Sequence, residues 1–149
     1  MDTSRLAGDP TIEPVKLACA YRLQDVVDAR TSGDRVGGIG FKMFLFDDAV
    51  GFVRKQLSSA GFVADNAPGE AVTIRIVKIY LAENNVTKIP VVVYDVHVGK
   101  GSPVLIRSQL ATMHWANSQD EAYNAFGRAF QDANAKLILS LNERCAGRH

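Results

Sequence analysis

The chain has 149 residues, 47% of them hydrophobic and 22% charged, with 17 basic against 16 acidic side chains. That length and composition specify one globular domain with a core of its own and exclude a disordered chain. A formal charge of +1 supplies no overall basic field for nucleic acid or an anionic bilayer, and no apolar run approaches the roughly 20 residues of a membrane span.

Residues 1–14 carry Asp2, Arg5, Asp9, Pro10, Glu13 and Pro14 and read as a flexible N-terminal linker. They lack the basic start and the apolar core of about 7–15 residues that a secretory signal needs. Two settings stay open: a cytoplasmic protein, or an exported one whose signal has been removed. Residues 15–28 alternate, with Leu17, Cys19, Tyr21 and Leu23 on one face, which predicts a half-buried strand. Gly33, Gly37, Gly38 and Gly40 make residues 29–40 a loop.

After the apolar run Phe41–Phe46, Asp47 or Asp48 offers an N-cap. Ala49, Phe52, Val53, Gln56, Leu57 and Ala60 then keep helical spacing, and Gly61 stands where a C-cap glycine belongs. The spacing predicts a helix over 47–60. Three strands follow. In 71–82 the inward set shifts from Val72, Ile74 and Ile76 to Val77, Ile79 and Leu81, which calls for a bulge or a strand buried on both faces. Residues 88–98 place Val92, Tyr94, Val96 and Val98 on one face. The glycine-containing turn 99–103 makes a hairpin with the last strand, 103–115. Ser118 and Glu121 fit a capping box. The stripe Ala122, Phe126, Ala129, Phe130, Ala133, Leu137, Leu141 marks a long second helix. The order β-α-β-β-β-α predicts an α+β fold, two helices on one face of a mostly antiparallel four-stranded sheet, with 15–149 as a single domain.

The residues that invite chemistry have simpler structural readings. Met43 stands where the dinucleotide fingerprint starting at Gly38 and Gly40 would need its third glycine, and no Gly-Lys-Ser/Thr ending follows. The hairpin register pairs His97 with about Val104, far along the ladder from His114. With Cys19, Cys145 and His149 these show no zinc spacing, so no metal or cofactor is expected. No Gly-x-Ser-x-Gly elbow is present, and Asp47-Asp48 serves a helix start, so catalytic residues are not expected. Tyr80, Tyr94 and Trp115 do not form an RNA-stacking platform among basic residues.

The cysteines admit two readings. Cys145 continues the spacing Leu137, Leu141, so both thiols can reach one helix–sheet interface. They are either a disulfide, which implies an oxidising compartment, or two buried thiols acting as small apolar side chains. Lys16, three residues before Cys19, is out of place in an acylation site. Phe41, Met43, Phe44 and Phe46 are either core entering the first helix or an adaptable apolar contact surface. Asp28 and Arg30 read as a turn-fixing ion pair or as a recognition spot beside the glycine loop.

The pattern resembles the YajG-type bacterial envelope lipoproteins and, more loosely, the auxiliary lipoproteins of lipid-handling ABC transporters. The likeness rests on Val26-Val27-Asp28-Ala29-Arg30, Gly37-Gly38-Ile39-Gly40 and Leu57-Ser58-Ser59-Ala60-Gly61-Phe62, followed by three strands and a long helix, over about residues 15–145. It implies an exported, periplasm-facing, non-enzymatic protein tethered to the outer membrane by a lipid on an upstream cysteine, with residues 1–14 as the stalk. It implies partners that are envelope proteins or lipids and no nucleic acid. The expected contact region is the loop 31–46 with Arg35, Phe41, Met43, Phe44 and Phe46, flanked by Asp28 and Arg30. A partner or a second copy can also add a strand at a sheet edge, making a homo-oligomer. The alternative is a carrier of small apolar ligands, with a pocket between helices and sheet near Phe44, Phe126 and Phe130.

Overall fold

The computed structural model describes residues 3–6, 8–30, 48–83, 88–108 and 119–147. A 3-10 turn at Thr3–Arg5 precedes β1 (Tyr21–Asp28), α1 (Ala49–Ser58), β2 (Glu70–Glu83), β3 (Lys88–Val98), β4 (Val104–Arg107) and α2 (Gln119–Ala146). The sheet order is β1-β2-β3-β4. β1 runs parallel to β2, while β2–β3 and β3–β4 are antiparallel. The parallel pair needs a crossover, and α1 lies within it. The α+β class and the element order are those expected from the sequence.

Two bulges aim the side chains. In β1 the register skips Gln24, so Val26 turns inward beside Ile74 and Asp25 turns out. Val26 is buried and Val27 exposed, the reverse of an uninterrupted alternation from Tyr21. In β2 the register skips Val77, so Val72, Ile74 and Ile76 and then Ile79 and Leu81 all reach the core. Central β3 is buried on both faces over Val91–Tyr94.

Both helices cover one face of the sheet and share one core with it. Phe126 and Phe130 are fully enclosed there, and Phe130 meets Phe52 of α1 edge to face at 5.1 Å. These rings pack into the interface between helices and sheet. Asp48 caps α1 from a left-handed backbone (φ 52°), its Oδ1 accepting the Gly51 amide at 3.0 Å. A Cβ at Gly51 would overlap that carboxylate, so the cap and the glycine belong together. At the far edge, Ser108 continues the ladder past β4. Its amide donates to the Val92 carbonyl and its hydroxyl accepts from the Val92 amide. Lys136 of α2 caps the outward carbonyl of Arg107, one way of blunting an open sheet edge. The remainder of the strand expected to 115 lies outside the described residues, as does Ser118.

The first strand starts later than its alternation predicts. Residues 15–20 are not sheet, because their backbone groups bond elsewhere: the Leu17 amide to the Ala60 carbonyl, and the Lys16 carbonyl and Ala18 amide to Asn142. Cys19 therefore sits on an exposed lead-in and not on a strand face.

Candidate functional site

Residues 1–14 read as a linker from the sequence; their described part continues through Cys19 as a strap along α2, residue 5 beside 123 and residue 19 beside 145, about 33 Å of helix. The Arg5 guanidinium lies 4.2 Å from the Tyr123 ring centroid, and Leu6 is buried in the core. The Gln131 carboxamide grips Asp9 at two points, Oε1 accepting its amide at 2.8 Å and Nε2 donating to its carbonyl at 3.0 Å. A Cβ at Gly8 would come within 2.7 Å of Gln131 Cδ, so the glycine admits the clamp. Asn142 repeats the device, Oδ1 accepting the Ala18 amide at 2.8 Å and Nδ2 donating to the Lys16 carbonyl at 3.0 Å. One residue on, Cys19 is bonded to Cys145 across a sequence separation of 126, with Cα atoms 6.4 Å apart.

Between the two clamps, strap and helices enclose a groove of about 240 Å³. Its apolar lining comes from Ile12 and Val15 of the strap, Leu57 and Ala60 of α1, and Ala135 and Ile138 of α2. Beside it lies a buried polar chain. The Tyr94 hydroxyl donates to Asn134 Oδ1 at 2.7 Å, and Asn134 Nδ2 donates to Gln56 Oε1. Burial pushes the Tyr94 hydroxyl far above its ordinary range, so it stays a neutral donor. The groove lies between helices and strap.

Of the residues singled out from the sequence, Asp28 ends β1 and Arg30 lies two residues beyond it. Arg30 Nε and Nη2 donate to the two Asp28 carboxylate oxygens at 2.9 and 2.7 Å, and the Arg30 amide adds a third bond at 3.1 Å. Only 6% of the Arg30 side chain reaches solvent. The pair closes the turn leaving the sheet and points the guanidinium at its own carboxylate. Arg35, Phe41, Met43, Phe44 and Phe46 lie outside the described residues, so the contact region proposed around them has no geometry here. His114, Trp115 and His149 are outside as well. On the sheet face away from the helices, Asp95 meets His97 at 3.3 Å and Arg75 at 3.9 Å. Among the described residues no group of three or more His, Cys, Asp or Glu side chains could hold a metal ion. No described helix is long and apolar enough to cross a membrane.

The Arg30 hydrogen bond holds the Asp28 carboxyl below its ordinary range, and partial burial works against it. A carboxylate depressed in the folded state stabilises above its unfolded pKa and loses that contribution as pH falls through the folded value. Asp28→Asn is therefore expected to be less stable than the parent at neutral pH, the two urea midpoints converging below about pH 4. A constant gap across that range would show that the ion pair contributes nothing.

The sequence reading missed Gln56, Gln131, Asn134 and Asn142. A signal was present for Asn134: it falls on the stripe between Phe130 and Leu137, where a poor helix former with a polar side chain needs buried partners. No family model matches this sequence, and no curated protein matches it either. Among solved structures, a Xanthomonas campestris protein described under the family model DUF330 has a TM-score of 0.51 at 9% identity, covering 94% of this chain and 89% of its own. At that identity the likeness is one of fold alone.

Proposed function

We propose that this chain is a non-enzymatic domain of the bacterial cell envelope, facing the periplasm and acting by contact with an envelope protein or lipid. The observation that carries the reading is the Cys19–Cys145 bond. Cytosolic reductants keep thiols reduced, whereas the periplasm allows such a bond to form and persist. The resemblance to YajG-type lipoproteins supports the same setting, with the strap leading from the tether to the domain.

The test is made on protein from its own cells, fractionated after free thiols are blocked with an alkylating agent. The expected result is an envelope-fraction protein that takes up no label until it is reduced. A cytosolic protein alkylated at both Cys19 and Cys145 without reduction would sink the envelope assignment.

A further inference from the structure

We infer that the free edge of β4 is a self-association surface, and that its occupant is a second copy of this chain, paired antiparallel across a two-fold axis at Leu105. The inference concerns the purified chain and stands apart from the envelope assignment.

The apolar side chains that the fold leaves outside point to this edge. Among the described residues five large ones are exposed, and three of them lie here: Val104, Leu105 and Leu139, at 44, 68 and 49%. Val104 and Leu105 are consecutive, so they stand on opposite faces of the strand. Leu139 belongs to α2 beside them. Lys136, three residues earlier, reaches the Arg107 carbonyl. Arg144, five residues later, lies 3.3 Å from where a Cβ on Gly101 would stand. The helix therefore follows β4 from 107 back to 101 with Leu139 between. An apolar strip along an edge strand is a template for pairing.

The backbone pattern selects the occupant. The Ser108 amide bonds inward to the Val92 carbonyl. By alternation Val104 and Ile106 also turn their backbone groups to β3, while Pro103, Leu105 and Arg107 turn theirs to the free edge. In an antiparallel pair centred on Leu105, its amide and carbonyl exchange two hydrogen bonds with those of its counterpart. Each Arg107 amide donates to the Pro103 carbonyl opposite. Proline has no amide to return to the Arg107 carbonyl. That carbonyl is the outward group the fold already serves, through the Lys136 ammonium at 3.0 Å. A copy of the same edge therefore satisfies residues 103–107 in full, whereas an ordinary strand would bring an amide into competition with Lys136.

Charge agrees with the same axis. Lys136, Leu139 and Glu143 share one face of α2, in the order cation, apolar, anion. The two-fold reverses that order in the second copy. Lys136 then stands towards Glu143 of the second copy on both sides of the axis, and Leu139 towards its counterpart.

Light scattering on the oxidised full chain, diluted from roughly 1 mM, reads the association. The mass is expected to double towards the concentrated end. Leu105→Lys sets two ammonium groups side by side at the axis and should keep the chain monomeric throughout. Its Tm at low concentration should be unchanged, because the side chain is exposed. Leu105→Glu should do the same. An equimolar mixture of the two variants should recover the doubled mass, because this axis places residue 105 opposite itself. Glu143→Lys, which leaves the strand untouched, should raise the dissociation constant about tenfold, since the two-fold counts the pair twice. A parent that stays monomeric over the whole range would overturn the inference. So would a Leu105→Lys variant that associates like the parent. A mixture as monomeric as its components would overturn the two-fold register.

Discussion

Removing the covalent lock, by Cys19→Ser with Cys145→Ser, is expected to lower stability by as much as about 4–5 kcal/mol while leaving the fold in place. The bond spans 126 residues of sequence, so it constrains nearly the whole unfolded chain, and loop-closure entropy assigns about 4.7 kcal/mol to a loop of about 100 residues. Against a typical total of about 5–15 kcal/mol this is a large share. The folded state should survive because the strap keeps its other attachments. These are the Gln131 and Asn142 clamps and buried Leu6, and just past the strap the Tyr21 hydroxyl of β1 donates to the Leu141 carbonyl at 2.9 Å. Urea unfolding of the parent and the double variant reads the effect directly. The m-value should rise in the variant, because an unlinked denatured chain exposes more surface. An unchanged midpoint and slope would mean that the bond constrains nothing the rest of the fold does not already hold.

Phe130→Ala is expected to cost about 3–5 kcal/mol. The ring is fully buried, stands edge-on to Phe52 at 5.1 Å, and joins α1 to α2 above the sheet. Truncation removes its transfer energy and leaves a hole between two helices whose positions β1 and β3 fix from below. A double-mutant cycle with Phe52→Leu isolates the pair, for which about 0.5–1.5 kcal/mol of coupling is expected. A loss under about 1 kcal/mol would show that the two helices can close over the gap, and with it that the core is less rigidly determined than its packing implies.

Much of the architecture was legible from period alone. Val92, Tyr94, Val96 and Val98 alternate as a strand must, and Phe126, Ala129, Phe130, Ala133, Leu137 and Leu141 repeat as a helix must; all of them are buried in the common core. The β2 bulge was foreshadowed by the change of inward set from Ile76 to Ile79, whereas the β1 bulge was not. There the polar pair Gln24-Asp25 interrupts the alternation without showing which residue is the extra one. Asp28 and Arg30 could be read as a pair because they lie two residues apart, and the structure adds the burial of the guanidinium. The groove was not legible. Its walls are drawn from residues 12–15, 56–60 and 131–138, and nothing in a local pattern brings those three stretches together.

The sequence by itself determined the element order, the inward faces and hence the α+β class, because side-chain period is a local property that burial of one face enforces everywhere. Only the tertiary structure decided the course of residues 3–20. An irregular segment has no period, and its path follows from where its backbone donors and acceptors find partners. Here those partners are side chains more than a hundred residues away, Gln131 for Asp9 and Asn142 for Lys16 and Ala18. That routing carries Cys19 to Cys145 and leaves the groove between the clamps, and no local pattern encodes those pairings.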